Sequence, residues 1–371
     1  MFKEKKVELI ELFYDLIYVY AISNLTKLLQ TETTDIFGDF GRYFILCLVI
    51  LQAWLYLTNY VNRYGEWNKS EYLLTTVNML ATIYMANTIS DDWEIVSKSF
   101  NLAMLVMLGC VLAMYLLQFF KKKKDLSAAR NSVKILSLLC VLYFAGFLLS
   151  YFHIHQYVLP VDIAAVLTGT FLPSLFNRKY SSVIIHFPHL VERLELITII
   201  TFGECVVGIT DYFGVNFVSI KAILVFVDVL LLFGCYVLQI HRLCDHEQDA
   251  RVTKIIYSHY LIVISLNLLT ITLGYANDSD AGRNFNIAMM IISLTTFFVS
   301  IYADSSYYHK GISFSLKDAL ISLASAAIGI VLMLTISDKT TAVLCGCAVI
   351  ATANFCLLLY KYEKHLKNNT H

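Results

Sequence analysis

Among the ionisable side chains within long apolar runs of the chain, eight could do chemistry: Glu11, Asp15, Asp162, Glu192, Arg193, Glu195, Glu204 and Asp228, seven acids and one base. A charge near the centre of a bilayer costs about 2.5–3.5 kcal/mol on insertion scales, so such residues face a protein interior or a water-filled cavity. In Glu11-Leu-Phe-Tyr-Asp15 the acids are four residues apart, about 40° around a helix, and look toward one partner surface, with Tyr18 following on the same stripe. Acids in the first two turns also suit the helix dipole and can reach the headgroups. Arg193 and Glu204 share a helix face but are separated by about 16 Å, too far to pair. Arg193 therefore needs an acid on another helix, and Glu11 and Asp15, entering from the same side, are the best placed. The expected charge network is Glu11, Asp15, Glu192, Arg193 and Glu195. Glu204 and Asp228 fall near the middle of their runs. Together with Asp15 they are the expected proton- or cation-binding groups, because a buried carboxyl that titrates near neutrality can carry a proton or hold a cation. Asp228 could equally be a hydrogen bond between helices.

The elements that must position these groups follow from composition. Of 371 residues 58% are hydrophobic and 15% charged, with 28 basic residues balancing 28 acids. This excludes a disordered chain and a basic nucleic-acid binder. The apolar residues come in runs of about 20, each long enough to cross about 30 Å of hydrocarbon as a helix. Runs near 9–29, 43–62, 70–89, 99–120, 133–152, 156–176, 189–210, 217–240, 254–274, 284–303, 315–337 and 340–361 predict an all-α integral membrane protein of about twelve spans, a single polytopic domain over residues 1–371. Charged residues from Lys3 to Glu8, with Glu11 and Asp15 in the first span, argue against a cleavable signal peptide.

Twelve spans put both termini on one side. That side carries 21 of the Lys and Arg residues and the other six, so the positive-inside rule makes both termini cytoplasmic. The run Lys121–Lys124 reads as a topology signal rather than an anionic-lipid site. Two sets of six helices, residues 1–176 and 189–361, would form a parallel repeat of the kind some transporters use. The sequence support is slight: the third span opens Ser70-Glu71-Tyr72 with Asn78 following, and the ninth opens Ser258-His259-Tyr260 with Asn267 following.

Pro160, Asp162 and Pro173 in one span mark a helix break, since proline frees backbone carbonyls that a neighbour or a cavity must satisfy. Pro160 also suits a helix start, which leaves the kink to Pro173. The segment from Ser181 to His189 could lie along the cytoplasmic interface. The nine cysteines show no metal spacing and read as small apolar fillers; no metal or other cofactor is expected. His153, His155, His241 and His246 read as solvated loop residues, with His259 nearest an apolar span. Asn59, Asn62, Arg63, Asn78 and Asn87 are expected to bond between helices.

Three stretches together resemble the bacterial low temperature requirement protein A family. These are Glu11-Leu-Phe-Tyr-Asp15-Leu-Ile-Tyr-Val-Tyr-Ala-Ile22, Trp54 with Asn59-Tyr-Val-Asn-Arg-Tyr64, and Glu192-Arg193 followed by Phe202-Gly-Glu-Cys-Val-Val-Gly-Ile209. The likeness runs over nearly the whole chain. Cys205 stands where that family usually has serine, and Glu195 where a small residue is common. The resemblance implies a multi-pass protein of the bacterial cytoplasmic membrane, linked by its family name to growth in the cold, and supplies no biochemical activity. The residues point to a transporter or channel-like permease with an acidic intramembrane site, partnered by the lipid bilayer and a small ion or solute. A membrane-embedded enzyme acting on lipid, or a non-catalytic scaffold or sensor, is the alternative. No recognisable metal spacing, nucleophile elbow or large catalytic loop favours the enzyme.

Overall fold

The apolar runs become helices because an isolated backbone in hydrocarbon must satisfy its own hydrogen bonds. The computed structural model describes residues 5–28, 36–89, 93–120, 127–176, 185–214, 218–248, 252–277, 282–336 and 338–369. The run Lys121–Lys124 and residues 177–184 lie outside them. Among the described residues there are twelve α-helices and no strand: α1 (Leu9–Leu28), α2 (Ile36–Tyr64), α3 (Lys69–Ala86), α4 (Trp93–Phe120), α5 (Ser127–Tyr151), α6 (Val158–Phe176), α7 (Phe187–Gly208), α8 (Ile220–Val237), α9 (Thr253–Asn277), α10 (Arg283–Ala303), α11 (Leu316–Thr335) and α12 (Lys339–Asn369). Each matches one of the twelve apolar runs.

Ten of these helices are long and apolar enough to cross a membrane. The two that fall short, α3 and α7, do so for a reason the sequence carries. Helix α7 holds Glu192, Arg193, Glu195 and Glu204, and α3 holds Lys69, Glu71, Asn78 and four threonine or serine residues. Their polar groups are the ones that need protein partners.

The chain divides into two compact units, residues 1–197 and 198–371, with the boundary inside α7. In the first, α4 packs on α3 and α5, α5 on α6, α1 on α2 and α3, and α2 on α4 and α6. In the second, α9 packs on α10, α11 on α12, and α12 also on α8 and α10. Helix α9 is apolar and buried all round, from Ile262 to Leu273 without an exposed residue, as expected of a helix that meets protein on every side. Helices α11 and α12 meet backbone to backbone. A Cβ added to Gly329 would lie 2.8 Å from the Gly346 carbonyl, and one on Gly346 2.8 Å from the Gly329 carbonyl, the small-residue contact that lets membrane helices approach closely.

Local signals fix several helix starts. Asn68 and Glu71 form a capping box at α3, Ser315 and Asp318 another at α11, and Ser219 accepts from Ala222 N–H at α8. Helix α6 is continuous through both of its prolines. Pro160 lies in the first turn, where its missing N–H costs nothing. Pro173 frees the carbonyl four residues back, that of Gly169, and the Tyr56 hydroxyl of α2 donates to it at 2.9 Å. Helix α8 runs on into a π-helix, Leu238–Leu243.

Candidate functional site

In the first unit α7 brings Arg193 to both acids of α1. Its Nε donates to Asp15 Oδ2 at 2.6 Å, Nη2 to Asp15 Oδ1 at 2.5 Å, and Nη1 to Glu11 Oε2 at 2.7 Å. The bidentate fork on Asp15 needs guanidinium geometry, which an ammonium cannot reproduce. All three side chains are at most 1% exposed. The spacing of four places the two acids at successive turns, so one planar cation spans them.

Aromatic and amide groups complete the site. Trp54 of α2 donates its indole N–H to Asp15 Oδ1 at 2.6 Å, and Trp67, between α2 and α3, donates to Glu11 Oε1 at 3.2 Å. Trp67 holds a left-handed backbone, φ 54°, a conformation costly for a bulky residue. The Arg193 guanidinium also lies over the rings of Trp54 and Tyr14, 5.7 and 6.0 Å from their centroids. Tyr14 pairs with Tyr18 at 2.9 Å and donates to Asn78 of α3, whose amide N–H reaches the Met107 carbonyl of α4.

His189, one turn before Arg193, places Nε2 3.1 Å from Glu11 Oε2. Its tautomer follows from Asn62. That amide accepts from His186 N–H at 3.1 Å and donates to the His186 carbonyl at 2.9 Å, so the nitrogen it turns toward His189 Nδ1, 3.2 Å away, is a donor. Nδ1 must accept, and the proton of a neutral ring sits on Nε2, facing Glu11. The cluster thus holds two carboxylates and one guanidinium. Lys5 lies close by, its ammonium donating to the Val61, Asn62 and Gly65 carbonyls at the end of α2. Burial pulls it below the usual lysine range, while the Glu11 and Glu71 carboxylates pull the other way. His186, just before α7, is likewise lowered by burial and by the neighbouring Lys5.

Of the other expected network members, Glu192 is exposed and Glu195 is half-buried. The three Arg193 nitrogens are taken by the acids of α1. Glu204, in the second unit, is half-buried, while its sequence neighbours face α9: Cys205 accepts from Thr270 at 2.9 Å and donates to the Leu266 carbonyl, and Gly208 sits against the Thr270 methyl. Asp228 of α8 is 1% exposed, and among the described residues neither of its oxygens has a hydrogen-bond partner. Tyr212 and Cys347 lie within electrostatic reach of it. Asp162 accepts from the Asn101 amide of α4 at 3.1 Å. Asn62, Asn78 and Asn87 all bond between elements, Asn87 accepting from Tyr20 at 2.6 Å.

Sequence reasoning missed a second polar cluster. Asp304, at the end of α10, accepts from Ser258 at 2.6 Å and from Gln239 of the π-helix at 3.1 Å. His259 donates from Nδ1 to the Ile255 carbonyl at 2.8 Å, so its Nε2 accepts from the Tyr236 hydroxyl at 3.2 Å. The segment after the π-helix pairs with residues 307–309 through Asp245 N–H to Tyr307 and His309 N–H to Leu243, both at 2.8 Å. The polar run Asp304-Ser-Ser-Tyr307 directly after an apolar span was the available signal. π-Helical turns recur at functional sites. No group of three or more metal-ligating side chains occurs among the described residues.

Among curated proteins, no relative matches the chain. The family model described as bacterial low temperature requirement A protein (LtrA) matches residues 6–353, a span that contains Glu11, Asp15, Trp54, His189, Arg193, Glu204 and Asp228. The chain is a multi-pass membrane protein and belongs to the low temperature requirement A family.

Proposed function

We propose that this protein is a transporter or channel-like permease of the bacterial cytoplasmic membrane whose cycle binds a proton or small cation at intramembrane carboxyls. The observation that carries the reading is Asp228, a carboxyl buried in α8 with no donor on either oxygen among the described residues. Ionised and alone it would meet the full cost of desolvation, so it functions as a neutral acid or with a bound cation. Glu204 and Asp15 belong to the same reading. The Arg193 cluster is a second concentration of buried acid, two carboxylates sharing one guanidinium with the Lys5 ammonium close by. Glu11, Asp15 and Arg193 act as the charge network near the cytoplasmic ends of their helices, with Glu192 and Glu195 beside it on α7.

Twelve spans, cytoplasmic termini and a six-plus-six repeat belong to this proposal. Three packed pairs of the first unit, α3 with α4, α2 with α6, and α5 with α6, have counterparts in α9 with α10, α8 with α12, and α11 with α12, whereas the extensive α4–α5 contact has only a slight one in α10 with α11.

The test is purified protein in liposomes containing a pH-sensitive dye, under an imposed proton or sodium gradient. Wild type changes the internal pH, Asp228→Asn slows the change at least about tenfold, and Glu204→Gln reduces it. Equal rates in wild type and both variants, or no flux under either gradient, would overturn the reading.

A further inference from the structure

Three helices of the first unit meet at a buried polar junction distinct from the Arg193 cluster. The Asn101 amide of α4 donates twice, to the Ser97 carbonyl at 2.9 Å and to Asp162 Oδ2 of α6 at 3.1 Å. The Ser97 bond fixes which end of the amide is nitrogen, because turning it over would set oxygen against oxygen. The orientation leaves two oxygens, Asn101 Oδ1 and Asp162 Oδ1, with no hydrogen-bond partner among the described residues. Both face Gly146 of α5: a Cβ there would lie 2.5 Å from the first and 2.7 Å from the second. Asn101 and Asp162 are fully buried, and among the described residues no cation pairs with the acid.

An amide edge facing a carboxyl edge can make two parallel hydrogen bonds, N–H to one carboxyl oxygen and O–H back to the amide oxygen, only when the acid is protonated. One of the two is present here, and the unpartnered oxygens occupy the other half. We infer that Asp162 binds a proton, donated from Oδ1 to the Asn101 carbonyl, and that this acid–amide pair joins α4 to α6 across Gly146. The site does not depend on the permease reading. Its other neighbours are few. Trp93 of α4 brings its indole nitrogen near the carboxyl, and Tyr143 of α5, whose hydroxyl lacks a partner among the described residues, feels both Asp162 and Tyr56 of α2. Among the described residues no Lys, Arg or His pairs with it. Loss of the proton sets carboxylate against the Asn101 amide oxygen and breaks that half of the pair, leaving the Asn101 N–H bond, with the Trp93 indole of α4 and the Tyr143 hydroxyl of α5, unpartnered among the described residues, as the nearby donors.

Infrared difference spectra of the protein in lipid test this. Near neutral pH, wild type minus Asp162→Asn carries one hydrogen-bonded carboxylic acid C=O band per chain, which shifts in D2O and converts to carboxylate as the pH is raised further. Asparagine at 162 can make the same two bonds through its amide and so preserves the fold. Asn101→Leu, a second variant, moves the acid band to the higher frequency of an unbonded carbonyl. A carboxylate signal for Asp162 near neutral pH overturns the inference. Conversion of the acid band by sodium at constant pH also overturns it, since the ligand would then be a metal cation.

Discussion

Arg193 is the residue on which most of the first unit's buried charge depends. Removing one partner of a buried ion pair leaves an uncompensated charge, so Arg193→Leu is expected to destabilise the protein by about 3–5 kcal/mol, read as a lowered thermal midpoint in detergent. Arg193→Lys recovers only part of this, because an ammonium cannot span the Asp15 fork and Glu11 together. Trp54→Phe keeps the ring but removes the donor to Asp15, at an expected cost of about 1.5–3 kcal/mol by the same measurement. The ion pair was legible in sequence because Arg193 and Glu204 are too far apart to satisfy each other, while the paired acids of α1 present a matching face. Trp54, Trp67 and His189 were not. Nothing in the spacing of residue 54 relates it to residue 15; the link exists only once α2 has packed on α1. Asp162 was read as part of a helix break because its prolines are visible in sequence, whereas the amide that faces it comes from a helix sixty residues earlier.

Helices were legible where apolar length decides them, and their ends were not. Helix α2 starts before the apolar run from residue 43, and α12 continues past residue 361, because a helix propagates at little cost into polar sequence once its nucleus is set. The behaviour of α6 could not be read either, since Pro173 predicts a freed carbonyl but says nothing of Tyr56, which bonds it. Tyr56→Phe is expected to cost about 1–3 kcal/mol by leaving the Gly169 carbonyl unsatisfied. Pro173→Ala in that background restores the backbone donor and recovers most of the loss, so a double-mutant cycle over the two sites checks the account. Between α11 and α12 the backbones are too close for side chains at 329 or 346. Gly329→Val is expected to pry the pair apart, seen as accelerated cleavage of the α11–α12 region by protease and a lower midpoint.

For the whole molecule, the charge asymmetry of the loops makes a topological prediction independent of any activity. A fluorescent protein fused after His371 should fold and fluoresce in intact cells, while alkaline phosphatase fused at the same place should be inactive; the opposite pair of results would invert the orientation. The neutral total of 28 bases and 28 acids conceals this asymmetry, because the excess of bases on the side of the termini is offset by acids within the spans and in the opposite loops. Those buried acids have a consequence for optical measurement. The chain has three tryptophans, and each indole nitrogen sits at a carboxyl: Trp54 at Asp15, Trp67 at Glu11 and Trp93 beside Asp162. Intrinsic tryptophan emission from this protein is therefore a label-free readout of Glu11, Asp15 and Asp162, and a titration followed at that wavelength reports their electrostatic state with no background from elsewhere in the chain's indoles.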